Sequence, residues 1–129
     1  MGNDAWIYRC SWESDPAHVA QVREFVTEGL HDHGLGHLAY DVRLVVSELA
    51  TNAVLHGRTP FTVTLERNDG MVTVHVTDQS DESPRPSVPA ELPVSGMGLF
   101  VVGNTSHDWG VRPLASGGKS VWASFRVDD

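Results

Sequence analysis

The segment SELATNAVLHG, residues 47–57, sets Glu48, Asn52 and His56 four positions apart in an otherwise apolar stretch. On a helix that spacing lines the three side chains along one flank, a turn apart. A carboxylate accepts protons, and a carboxamide both donates and accepts hydrogen bonds. Such a flank can face a polar ligand; taken alone it is also what the solvated side of an amphipathic helix looks like. A second polar group sits out of place at Asp78, which ends the run MVTVHVTD, residues 71–78. Val72, Val74 and Val76 share one face there, and period two assigns Asp78 to the same face. The residue is either a strand-end cap on a turn or an acceptor on the floor of a pocket. An ionised carboxylate only accepts, so in a pocket it suits an exocyclic amine and favours adenine over guanine, which presents a carbonyl. The third feature is Ser95-Gly96-Met97-Gly98-Leu99. Two glycines at a helix entrance let backbone approach a ligand closely, and the free amides of the first turn suit an anion.

The elements that must position these residues follow from periodicity. Residues 5–12, AWIYRCSW, read as a strand. Asp15 and Pro16 are a helix start, a cap followed by a first-turn proline. Val19, Val22, Phe25, Val26 and Leu30 continue it at helical spacing to about residue 31. After the glycine-broken HDHGLGH, a longer helix is predicted over about 37–56, with Leu38, Val42, Val45, Leu49 and Ala53 as its apolar face and Gly57 as its stop. FTVTLER and MVTVHVTD, on either side of Asn68-Asp69-Gly70, form a hairpin. Residues 79–95 are a long polar, proline-rich loop of the kind that forms lids. A short helix at about 98–106 and a hairpin of 108–113 with 119–127 close the chain. The order predicts a single α+β domain over residues 1–129, a two-layer sandwich with helices on one face of a mixed, mostly antiparallel sheet.

Composition narrows the function classes. The 129 residues carry a net charge of −8, which repels nucleic-acid backbones and makes direct binding to them a poor fit. One bound nucleotide remains compatible, since a metal ion and local backbone dipoles offset a global field. With a single cysteine, Cys10, no internal disulfide is possible. No signal-peptide pattern and no run of about 18 apolar residues is present. These features lead to the expectation of a cytoplasmic protein with no membrane contact.

Taken together and in order, E-L-x-x-N-A-x-x-H-G, a strand ending in Asp, and a lid ending in G-x-G-L resemble the GHKL ATPases: gyrase, MutL and the histidine kinases, with their Bergerat fold. The single-domain form is most similar to the anti-sigma-factor serine/threonine kinases of the RsbW type. GGKSVWASF also fits the family's closing strand, and the resemblance covers about residues 6–127. It implies that Asn52 coordinates magnesium through a hard carboxamide oxygen. Glu48 is implied as the general base for an attacking hydroxyl, and Asp78 as the reader of the adenine amine of ATP. Gly96, Met97, Gly98 and Leu99 are implied as the lid around the phosphates, over about 79–97. His56 matches the family's histidine near the helix end, and as a helix C-terminal cap it reads equally well. One departure stands out. The family commonly shows D-x-G-x-G after the adenine strand, whereas this chain has Asp78-Gln79-Ser80-Asp81-Glu82. Ser80 is small but takes positive φ less freely than glycine.

The implied activity is phosphorylation of a serine on an anti-anti-sigma (STAS-type) partner, with a sigma factor as the competing partner and a homodimer possible. The departure at Ser80 favours an alternative, a catalytically weak module of the same fold that regulates by protein binding alone. A detached histidine-kinase ATPase domain working in trans is a third reading. Outside the main features, His31, His33 and His37 match no standard metal-ligand spacing and read as a solvated loop. Trp6, Trp12, Trp109 and Trp122 read as sheet residues, and Lys119 as an exposed hairpin lysine.

Overall fold

A computed structural model describes residues 5–79, 101–115 and 117–128. Strand β1 spans Trp6–Trp12, helix α1 Val19–Asp32, helix α2 Ala39–Asn52, β2 Phe61–Asn68, β3 Met71–Asp78, β4 Asp108–Pro113 and β5 Lys119–Arg126. Residues 101–105 are helical. The five strands form one sheet in the order β1-β2-β3-β5-β4, and every neighbouring pair is antiparallel. The expectation of a mixed sheet thus resolves, among the described strands, to a fully antiparallel one.

Alternation explains the strands. On β2, β3 and β5 every second residue, from Phe61, Val63 and Leu65 to Val72, Val74, Val76 and then Val121, Ala123, Phe125, is buried. That face receives Val22, Val26 and Leu30 of α1 and Val42, Val45, Val46, Leu49 and Ala50 of α2. Each such aliphatic side chain contributes about 1.5–3 kcal/mol when taken fully out of water. Gly29 lets α1 lie close to the sheet: a Cβ there would stand 2.8 Å from Leu65 Cδ2 and 3.4 Å from the Tyr8 ring.

The helix ends carry the local chemistry foreseen for them, with two corrections. The Asp15 carboxylate accepts from the Ala17 amide at 2.9 Å, and Pro16 opens the first turn. The helix expected over 37–56 is three pieces: a 3-10 turn at Gly36–Leu38, α2 itself, and a wider π turn at Ala53–Gly57. The residue that ends it in the left-handed region is Arg58 (φ 57°), not Gly57. The Arg58 amide reaches back five residues to the Ala53 carbonyl at 3.1 Å. A ring that wide displaces the left-handed position by one residue. The histidines of the α1–α2 connection also do more than meet solvent. His33 stacks on Trp6 with ring centroids 4.3 Å apart and hydrogen-bonds Tyr8 at 2.9 Å, and His37 donates to the Val127 carbonyl at 2.7 Å.

Candidate functional site

Glu48 and Asn52 fall on the same flank of α2, one turn apart, beside the buried row of Val45 and Leu49. Asn52 is the last residue of the helix and is 8% exposed. Glu48 is half-buried, and loss of hydration pushes its carboxyl above the usual carboxylate range. A carboxylate whose proton affinity lies nearer neutrality is a better general base than an exposed one. His56 follows in the π turn and is partly buried. The wider turn breaks the strict four-residue spacing, so His56 does not simply extend the Glu48–Asn52 line.

The end of β3 lies against this turn. Two connections fix it there. Phe61, a few residues past the π turn, pairs with Asp78 in the β2–β3 ladder. The Gln79 amide donates to Thr59 Oγ1 at 3.1 Å, tying the residue after Asp78 to the segment after α2. Asp78 itself is 2% exposed and continues the buried row of Val72, Val74 and Val76. Its placement on the core face therefore follows the alternation read from the sequence.

Lys119 is the site residue that sequence reading missed. Far from being an exposed hairpin lysine, it is 6% exposed and pairs in register with Asp78. Its Nζ donates to Asp78 Oδ1 at 3.1 Å and to Oδ2 at 3.2 Å. The signal was present: Lys119 is in phase with Val121, Ala123 and Phe125, so period two puts it on the core face as surely as it puts Asp78 there. The preceding turn reinforces the contact. Gly118 has φ +90°, and a Cβ on it would overlap the Asp78 carbonyl oxygen and stand 2.8 Å from Gln79 Cα. Only glycine lets β5 begin this close to the end of β3.

The remaining expected site residues, Ser80, Gly96, Met97, Gly98 and Leu99, lie outside the described residues, as does most of the expected lid.

A family model for the histidine kinase-like ATPase domain matches residues 12–125. The chain belongs to this family. Twelve chains of solved structures are similar to it. One is the crystal structure of the RsbU and RsbW domains of Rv1364c from Mycobacterium tuberculosis, with a TM-score of 0.71 at 19% identity. That likeness covers 94% of this chain and 32% of the other, so the chain spans about a third of that protein's length and the match is one of fold. No curated protein matches the chain. Within this domain Glu48 and Asn52 share a flank of α2, and the π turn that follows lies against β3, the strand that Asp78 ends. No helix among the described residues is long and apolar enough to cross a membrane.

The residues present fit a magnesium–nucleotide complex. The Asn52 carboxamide and the Glu48 carboxylate are hard oxygen groups, the type that holds magnesium alongside phosphate and water oxygens.

Proposed function

We propose that this chain is an ATP-binding regulatory protein, an anti-sigma factor with serine kinase activity toward an anti-anti-sigma (STAS-type) protein. The observation that supports the reading is the shared flank of Glu48 and Asn52 on α2, with a buried carboxylate ending the strand that packs on the following π turn, within a histidine kinase-like ATPase domain. Bound Mg-ATP supplies the phosphoryl group and the charge neutralisation. Asn52 would hold the ion through its carboxamide oxygen, and Asp78 would accept from the amine of the base. Glu48 receives the proton of the partner's serine hydroxyl; its half-buried carboxylate is the better base for that burial. The lid role falls to residues 79–97, nearly all of them outside the described residues; a lid there would exclude water. Transfer then rests on positioning and charge stabilisation. A phosphate added to the partner would break its complex by charge repulsion and desolvation. A sigma factor is the competing partner of this chain, a homodimer is compatible with the reading, and the cytoplasm is the expected compartment.

The test is thermal unfolding with and without millimolar Mg-ATP, for the wild type and Asn52→Ala. Ligand at about a hundred times its dissociation constant adds about 2.7 kcal/mol, or roughly 10 °C in a domain of this size. The proposal expects that shift in the wild type and its loss in Asn52→Ala, followed by acid-stable phosphate on the partner. An acid-labile product would point instead to transfer to histidine. Ser80, in place of the family's glycine, favours a second competing reading, regulation by protein binding alone. That reading expects partner binding with no nucleotide shift.

A further inference from the structure

A second row of side chains runs along α2 and its π turn, apart from the row that fills the core. Tyr40, Leu44, Ser47, Thr51 and Leu55 follow one another in steps of three or four residues, the spacing that keeps side chains on one flank of a helix. Tyr40, Leu44 and Ser47 line an open hollow of about 420 Å³ with Arg23, Ala39 and Arg43. Thr51 and Leu55 line a second hollow of about 340 Å³ with Ala17 and Ala20 on the α1 side. Arg23 borders both hollows, so they join into one furrow between α1 and α2. From Tyr40 to Leu55 a helical rise of about 1.5 Å per residue makes the furrow about 20 Å long.

We propose that this furrow docks an amphipathic helix of a protein partner, one with an apolar stripe flanked by carboxylates. Charge selects the flanks. The chain carries 17 acidic against 9 basic residues. Among the described residues that line the two hollows there is no Asp or Glu, whereas Arg23 and Arg43 both stand there. Arg23 donates to Ser47 Oγ at 3.3 Å, and among the described residues neither guanidinium meets a carboxylate. A neutral apolar partner would cover both cations and strip their water without replacing it. Carboxylates on the partner replace that water with charge-assisted hydrogen bonds. Spacing selects a helix. Five large apolar side chains stand exposed among the described residues, and three of them, Tyr40, Leu44 and Leu55, lie on this row. Such a cluster marks an interaction surface where single exposed side chains do not. Its steps of three and four match the side chains of a facing helix, and Ala17, Ala20 and Ala39 let that helix come close. An extended segment would instead pair with a free strand edge, which a furrow between helices does not offer. The furrow is built by α1, α2 and the turns beside them, so docking there needs no bound nucleotide.

The experiment is selection on the full chain from a displayed library of helical peptides of about fifteen residues, the length that fills the furrow. Each peptide carries leucine in steps of three and four, with flanks randomised among Glu, Gln and Lys. The expected result is enrichment of glutamate flanks. The enriched peptide is then labelled and titrated by fluorescence anisotropy against the wild type, Arg23→Gln with Arg43→Gln, and Tyr40→Ser with Leu44→Ser. Each double variant is expected to weaken binding by at least about ten-fold with the thermal midpoint of the chain unchanged. Arg43→Gln alone, at an exposed side chain, replaces the first double variant should that one lose stability. Enrichment of neutral or basic flanks, or no enrichment, overturns the proposal. So does an enriched peptide whose affinity ignores both double variants, since it then binds elsewhere. Oligoglutamate or a single-stranded oligonucleotide that binds as tightly as the peptide overturns it too, because charge alone is then read. Self-association of the wild type that Tyr40→Ser with Leu44→Ser abolishes would assign the furrow to a second copy of this chain and overturn it as well.

Discussion

Removing one member of the Asp78–Lys119 pair tests the site without any ligand. Lys119→Met keeps the length of the side chain and deletes its charge, leaving the Asp78 carboxylate, 2% exposed, without its ammonium. Uncoupling a pair this buried costs about 3–5 kcal/mol, because the surviving charge stays out of water. Solvent screening offers little relief at 2% and 6% exposure. For a domain between the 100- and 200-residue classes, each kcal/mol moves the midpoint by roughly 3–5 °C, so the expected loss is roughly 9–25 °C. Asp78→Val, which strands the ammonium, is expected to cost a similar amount. The double variant Asp78→Val with Lys119→Met replaces the pair by apolar groups in a row already made of Val74, Val76, Val121 and Ala123. Its expected stability is near the wild type or above it. The assay is urea unfolding of all four proteins, with the coupling energy taken from the cycle. A cost below about 1 kcal/mol for Lys119→Met, with additive effects in the cycle, would be the signature of a solvated pair. It would refute the assignment of Lys119 to the core face.

Three further outcomes are expected. Burial raises the Glu48 carboxyl, so the native chain holds that proton more tightly than the unfolded chain, and stability falls as pH rises from the unfolded value through the raised native one. Glu48→Gln removes that slope and raises stability at neutral pH by less than about 1 kcal/mol, since the group is half open to solvent; on the kinase reading it also lowers phosphoryl transfer by about 10²–10⁴-fold while nucleotide binding survives. Gly118→Ala forces a side chain into positive φ and against the Asp78 carbonyl, and it should cost at least about 1–3 kcal/mol in chemical unfolding. Arg58→Gly relieves a left-handed arginine at the end of the π turn and should gain about 1 kcal/mol, read as a higher urea midpoint.

Period two and period 3.6 made most of this fold legible. The strands at 61–67 and 71–78 and the buried faces of α1 and α2 follow from alternation or helical spacing strong enough to outweigh anything local. The same rule carried Asp78 into the core row. Other features depend on quantities that side-chain patterning does not encode. Whether Ala53–Gly57 closes five-residue or four-residue rings depends on the carbonyl that each amide chooses, and both choices bury Ala53 and Val54. With the ring size unknown, Gly57 was the natural stop, yet Arg58 took the left-handed position. His33 and His37 looked solvated because their partners, Trp6, Tyr8 and the Val127 carbonyl, are remote in sequence.

Lys119 failed for a different reason. Its alternation with Val121, Ala123 and Phe125 is as regular as that of Asp78 with the β3 valines, but lysine is almost never fully buried unless paired. The composition prior overrode the pattern. Each of the two charged residues is an anomaly when its strand is read alone. Read across the ladder, each removes the anomaly of the other: an out-of-place carboxylate and an out-of-place ammonium, both in phase with the core and both at the same end of neighbouring strands. A buried pair of this kind is weak support for stability, since apolar groups of similar volume serve as well or better. What it fixes is the register of the two strand ends: Asp78 and Lys119 are partners across the β3–β5 ladder, and a slip by one residue would carry both charges to the other face.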